Sequence, residues 1–156
     1  MKALVTGGAG FIGTHLVREL LNRGLEVICV DNFTLGHQEN VDCFKDNPNY
    51  KFYKLNIEET ESFCEALKDE KIDIVYHLAA NSDIQKGGRM PSVDFNDTFM
   101  TTYSTLELMR RNGIKNLFFA STSAIYGDKQ ELLTETLGDL RPISYYGGAK
   151  YASEGF

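Results

Sequence analysis

The sequence is poor in several features that would place it outside the ordinary globular class. Its three cysteines, Cys29, Cys43 and Cys64, are separated by 13 and 20 residues, a spacing that matches no zinc or redox motif. They read as three small hydrophobes in or near the core. No apolar run approaches the ~20 residues needed to cross a bilayer. Met1 leads directly into the strand-like run Lys2-Ala3-Leu4-Val5, without the basic start, apolar stretch and cleavage site of a secretory signal. A cytoplasmic protein with no membrane partner is expected. Basic residues are in deficit, 16 against 22 acidic, for a net charge of −6, which makes nucleic acid a poor partner. Internal repeats, low-complexity tracts and linkers are also missing. What is present, 42% apolar and 24% charged residues over 156 positions, suits one folded core.

Short apolar runs alternate with amphipathic stretches. Ala3–Thr6, Glu26–Val30, Lys51–Lys54, Ile72–His77 and Asn116–Ala120 read as strands. Phe11 to Asn22 places Ile12, Leu16, Leu20 and Leu21 on one helical face and stops before Gly24, a residue suited to a left-handed cap. Glu58–Lys68 reads as a shorter helix and Val93–Arg111 as the longest, ending at Asn112-Gly113. This alternation predicts an α/β fold with a doubly wound parallel sheet. Near-continuous hydrophobicity in Ala3–Val5, Val27–Val30 and Leu117–Phe119 predicts strands covered on both faces. Asp83–Pro91 and Gly127–Pro142 lack periodicity and read as surface loops, where such folds carry their sites.

Thr6-Gly7-Gly8-Ala9-Gly10-Phe11-Ile12-Gly13 falls between the first strand and the first helix. Gly7 suits the tight turn, Gly10 lets a pyrophosphate approach the amides at the helix start, and Gly13 lets helix and strand pack closely. The helix N-terminus offers unpaired N–H groups and partial positive charge to phosphate. About twenty residues on, Asp31 in Val30-Asp31-Asn32 ends the second strand, where its carboxylate can accept from ribose hydroxyls and repel a 2′-phosphate. No arginine adjoins it, so NAD is expected over NADP.

Tyr146 and Lys150 are four apart and share a helical face, so the ammonium is expected to lower the phenol's pKa and make Tyr146 a proton carrier. The hydroxyl-rich Ser121-Thr122-Ser123 follows the last predicted strand and would sit beside the same reacting oxygen. The three histidines, His15, His37 and His77, lack any paired carboxylate or cysteine spacing; they read as structural, and no metal is assigned.

Together TGGAGFIG (6–13), VDN (30–32), HLAA (77–80), STSAIYG (121–127) and PISYYGGAK (142–150) resemble, in order, the signatures of the extended short-chain dehydrogenase/reductase family, and within it the NAD-dependent nucleotide-sugar epimerases and dehydratases. The resemblance implies a Rossmann-type fold. It implies Thr122, Tyr146 and Lys150 as catalytic residues, and an NAD envelope of Gly7, Gly10, Phe11, Ile12, Gly13, Asp31, Asn32, Phe33, Gly36, Asn56, Ile57, Leu78, Ala79, Ala80, Thr98 and Ala120 with Tyr146 and Lys150. Asn81, Ser82, Ser123 and Ala124 would face a nucleotide-sugar, a UDP-sugar by closest likeness. Asn56 stands where the family usually has Asp at the adenine, and Thr98 where it usually has Asn. Ser123 and Ala124 replace the carboxylates that related dehydratases use for water elimination, which favours epimerisation through transient oxidation. The alternatives are a non-catalytic NAD- or partner-binding module, or another nucleotide-sugar oxidoreductase of the same family. The family's usual length also implies that residues 1–156 form the NAD-binding domain alone, truncated before a substrate domain. Such a chain would not turn over by itself, and would form a homodimer at full length.

Overall fold

Alternation within the strands divides the apolar residues between two cores, one on each face of a single sheet. The computed structural model describes all residues, Met1 to Phe156. Its strands, β1 (Lys2–Thr6), β2 (Glu26–Asp31), β3 (Tyr50–Lys54), β4 (Ile74–His77) and β5 (Asn116–Phe119), are parallel and ordered β3-β2-β1-β4-β5. Side chains alternate across a strand. Ala3, Val5, Val27 and Cys29 therefore point to one face, where they meet Val17 and Leu20 of α1 (Phe11–Asn22) and Val41 of α2 (Gln38–Asp42). Leu4, Ile28, Val30 and Val75 point to the other, against Phe63 and Cys64 of α3 (Thr60–Ala66) and Leu108 and Met109 of α6 (Thr101–Asn112). This is the doubly wound, Rossmann-like α/β arrangement expected from the sequence, with the crossover point between β1 and β4.

Helix ends follow the predicted glycines. Gly24, just past α1, has φ 78° and donates its N–H to Leu21 O, and Gly113 closes α6 at φ 67°. The long predicted helix over 93–111 is composite: α5 (Pro91–Asp94), a π-helical turn (Phe95–Met100) and α6. The predicted loop 83–91 contains α4 (Ile84–Arg89), whose start is capped by Asp83 accepting from the Lys86 N–H at 2.9 Å. Short helix α2 carries little apolar patterning, with only Val41 buried, and was not predicted. A 3₁₀ turn (Ser123–Tyr126) and α7 (Tyr145–Gly155) complete the chain, and residues 127–142 are irregular as expected.

Two burial expectations fail. Leu117 and Phe118 are 37% and 54% exposed, because β5 is an edge strand paired only with β4. Cys43 is exposed, since it follows a surface helix, whereas Cys29 and Cys64 are buried. No helix is long and apolar enough to cross a membrane.

Candidate active site

The carboxyl ends of β1, β2, β4 and β5 open into a cleft of about 1030 Å³. Its rim starts at the glycine-rich turn. Gly7 holds φ 71°, and a Cβ there would lie 2.8 Å from the Ala79 nitrogen, so only glycine lets the turn pass over the end of β4. A Cβ at Gly13 would come closer still to the Gly7 carbonyl oxygen, so only glycine there lets α1 seat on the turn. By contrast the side of Gly10 where a Cβ would be built is comparatively open, its nearest neighbour being the Gly7 oxygen at 3.4 Å. Gly7, Gly10, Phe11, Ile12 and Gly13 all line the cleft, with Phe11 and Ile12 largely exposed at the start of α1. Amides there are placed for an anionic group.

Asp31 ends β2 in the same cleft. It accepts the Ala9 N–H on Oδ2 at 3.0 Å and the Phe33 N–H on Oδ1 at 2.8 Å, leaving a lone pair on each oxygen. Asn32, Gly36, Ile57, Leu78, Ala79, Ala80 and Ala120 also line the cleft, as do Tyr146 and Lys150 from α7 and the substrate candidates Asn81 and Ser82. The expected residues of β1, β2, β4, β5 and α7 are thus brought to one cavity.

Six expected residues do not line it: Phe33, Asn56, Thr98, Thr122, Ser123 and Ala124. Phe33, with φ 64°, turns its ring onto Phe52 at 5.2 Å between centroids. Asn56 donates to Glu59 Oε1 at 2.9 Å. Thr98 is fully buried in the π-helical turn, its hydroxyl accepting the Asn81 N–H at 3.1 Å, and Thr101, one turn on, lines the cleft instead. Ser123 and Ala124 lie in the 3₁₀ turn, capped by Thr122, whose hydroxyl accepts the Ala124 N–H at 3.2 Å. Asn81 lines the cleft but is a buried hub: both amide hydrogens are committed, to Asp94 Oδ1 at 2.8 Å and the Asp83 carbonyl at 3.0 Å.

The Tyr146 phenol departs from expectation in its electrostatics. Burial pushes it above its ordinary value, the Thr122 hydroxyl beside it pulls it back, and the Asp94 carboxylate adds to the rise. Lys150 does not act on the phenol in this structure. Its ammonium donates to the Ala120 carbonyl at 2.7 Å and lies 4.6 Å from the centroid of the Phe119 ring. It is 1% exposed, and burial lowers it to about 8. Beneath Phe119 stacks the ring of His77, at 5.9 Å between centroids. Thr102 gives its proton to the Thr98 carbonyl, and Thr6 Oγ1, which accepts the Ala79 N–H, lies 2.7 Å from Nδ1. Thr102 Oγ1 lies 3.1 Å from Nε2 and Thr105 Oγ1 3.2 Å from Nδ1, so both ring nitrogens are met by hydroxyls. Burial, and then the Lys150 charge, hold His77 neutral down to about pH 3.

Sequence reasoning missed several lining residues. Arg18, His15 and His37 reach the cleft although none adjoins Asp31 in sequence, and Ser121, which donates to Glu154, lines it as well. Glu58 and Asp97 line it too, each raised chiefly by burial. Asp94, the last residue of α5, is 1% exposed and acts on Tyr146, and no motif in the sequence singles it out.

Strand order, glycine turn, acidic β2 end, and a half-buried Tyr146 and buried Lys150 on one cleft define the arrangement of nucleotide-binding α/β proteins. Residues 3–155 match the NAD dependent epimerase/dehydratase family, and the chain belongs to it. It is 38% identical to a UDP-glucose 4-epimerase of Lactobacillus helveticus over 154 residues, 99% of this chain and 45% of that protein. It is 34% identical to a putative UDP-glucose 4-epimerase of Methanocaldococcus jannaschii, over 97% of this chain and 48% of that one. Among solved structures it resembles the Thermotoga maritima UDP-glucose 4-epimerase with UDP-glucose (38% identity, TM-score 0.90) and the Thermus thermophilus enzyme in complex with NAD (36%, 0.88), covering 99% of this chain and 49% of each of those. The chain spans about half the length of these relatives.

Proposed function

We propose that the chain is the cofactor-bearing part of an NAD-dependent nucleotide-sugar epimerase that acts on a UDP-sugar through transient oxidation to a keto sugar. The carrying observation is that one cleft joins the glycine-rich turn and Asp31 to Tyr146 and Lys150. The residues fit the cofactor: the open side of Gly10 and the α1 amides suit a diphosphate, and the unused lone pairs of Asp31 suit a ribose diol. Bound NAD⁺ supplies a reversible hydride acceptor. Tyr146 would take the sugar hydroxyl proton, and the Thr122 hydroxyl, beside the phenol though outside the cleft lining, would have to turn toward the same oxygen to hold it. Lys150, released from the Ala120 carbonyl toward a ribose, would bring its charge to the phenol and offset the cost of burial there. Ser123 and Ala124 offer no carboxylate for elimination, which supports epimerisation over dehydration.

Titration with NADH, read by nicotinamide fluorescence, is expected to saturate, and a flat titration overturns the reading. In a protein carrying this chain at its relatives' full length, Tyr146→Phe is expected to abolish UDP-glucose turnover while NADH affinity stays within about twofold. Unchanged turnover removes Tyr146 from the chemistry and favours the non-catalytic module.

A further inference from the structure

Asn56, the residue expected at the adenine, does not line the cleft and donates to Glu59 Oε1 at 2.9 Å. Two residues on, Glu58 does line it, beside the apolar Leu55 and Ile57, the latter buried. Glu58 is half-buried, and no other residue donates to its carboxylate: burial raises it above the ordinary 4.5, its own backbone N–H pulls it back, and Asp97 and Glu59 add to the rise. It is an acceptor without a donor from elsewhere in the fold, and removing such a group from water is costly until a donor meets it. Strand order decides what that donor is. A diphosphate at the glycine-rich turn lies over the end of β1, a ribose diol at Asp31 lies at the end of β2, and β3 flanks β2 on the side away from β1. A nucleotide base leaves the ribose across the ring oxygen from the carbon that carries the phosphate arm. With its phosphates over β1, it therefore extends past β2 to the end of β3, where Leu55, Ile57 and Glu58 lie.

We propose that Glu58 is a specificity-determining residue of the dinucleotide cleft: its carboxylate accepts a hydrogen bond from the exocyclic 6-amino group of adenine, a role that Asn56 does not fill. The proposal rests on the dinucleotide reading given above and adds to it the choice of base. An ionised carboxylate can only accept. Adenine turns an N–H toward it, whereas hypoxanthine carries a carbonyl oxygen at the same position, whose lone pairs oppose those of the carboxylate. A bond from the amine also favours the ionised form and so offsets the effect of burial on Glu58. A glutamine at position 58 can accept from one base or donate to the other, and so should not tell them apart.

The test titrates NADH and reduced nicotinamide hypoxanthine dinucleotide, by nicotinamide fluorescence, into the wild type, Glu58→Gln and Asn56→Ala, each shown folded by circular dichroism. The wild type is expected to bind NADH about tenfold more tightly than the hypoxanthine analogue. Glu58→Gln should bring the two within about twofold, and Asn56→Ala should leave the tenfold preference in place. A preference that survives Glu58→Gln, or that collapses in Asn56→Ala, overturns the proposal. A second readout needs no variant: the side-chain carboxyl carbon of Glu58 should shift in the NMR spectrum of the wild type when NADH is added, and a fixed resonance also overturns it. A wild-type chain that binds both dinucleotides equally defeats the assignment of Glu58 alone. One that binds neither defeats the proposed function, and this assignment with it.

Discussion

At the β2 end of the cleft the turn and the acidic group are clasped by backbone N–H groups and close backbone packing; at the β5 end two side chains project from one helix onto a single carbonyl, a ring and a hydroxyl. Asp31 is clasped by two peptide N–H groups, and the glycine-rich turn is wedged against the end of β4, between two cores. Tyr146 and Lys150 stand on α7 beside an edge strand, the lysine bound to one carbonyl and resting on one ring. A site element made of backbone cannot be altered without disturbing the fold, whereas one made of side chains can be altered freely. The first end should therefore lose stability and binding together, and the second should lose function alone.

The sharpest way to break that comparison is to put the same methyl group at each end. Gly7→Ala must accommodate φ 71° and a Cβ 2.8 Å from the Ala79 nitrogen. It is expected to cost about 2–3 kcal/mol in urea unfolding and to abolish NADH binding. Gly148→Ala lies in α7, with nothing within 4 Å of the new methyl, and should stabilise by about 0.5–1 kcal/mol. Equal effects of the two changes would show that the ends do not differ as described.

Next in size is the rim of the sheet opposite the cleft. There Glu70 accepts from Lys2 Nζ at 3.0 Å, Lys51 Nζ at 2.6 Å and Tyr53 Oη at 2.8 Å, joining β1 to β3. The Lys51 ammonium first, with Tyr53 and Lys2 behind it, holds this carboxyl down to about 2, against an ordinary 4.5. A folded value below the unfolded one stabilises the protein above about pH 4.5, and that contribution disappears as pH falls toward 2. Glu70→Gln should therefore cost about 1–2 kcal/mol at pH 7, and the gap between the melting curves of the two proteins should narrow as pH is lowered from 4.5 toward 2. A gap that stays constant with pH would mean that the network is worth only its packing.

How far the sequence reveals each end follows the same division. The glycine turn, Asp31 and the doubly wound parallel sheet were legible because backbone constraints select residue types: only glycine passes at position 7, and only alternating apolar positions fill two cores. The expected Thr98 contact was not, because the π-helical turn at 95–100 buries that hydroxyl under Asn81 and brings Thr101 to the cleft, a shift of phase that no residue in the stretch announces. The orientation of Lys150 was also hidden: a four-residue spacing puts it on the face of Tyr146 but says nothing of the Ala120 carbonyl that it meets. Leu117 and Phe118 read as buried because apolar composition does not distinguish a central strand from an edge.

The smallest effect probes whether Lys150 is kept for function at the expense of stability. Burial lowers its ammonium to about 8, from an ordinary 10.5. Between those values the unfolded chain holds more protons than the folded one, so this group makes stability rise with pH from about 8 to 10.5, and below 8 its charge opposes folding to the full extent. Lys150→Met keeps the length and apolar contact of the stem, removes the buried charge, and gives up the bond to the Ala120 carbonyl and the contact with Phe119. Relief of desolvation should exceed those losses, for a net gain of about 1 kcal/mol at pH 7. The advantage should shrink as pH is raised to 10 and the wild-type lysine discharges. A variant that is less stable than wild type at pH 7, by a margin independent of pH, would show that the Ala120 bond outweighs the buried charge, and that the β5 end is as much a part of the fold's support as the glycine-rich turn.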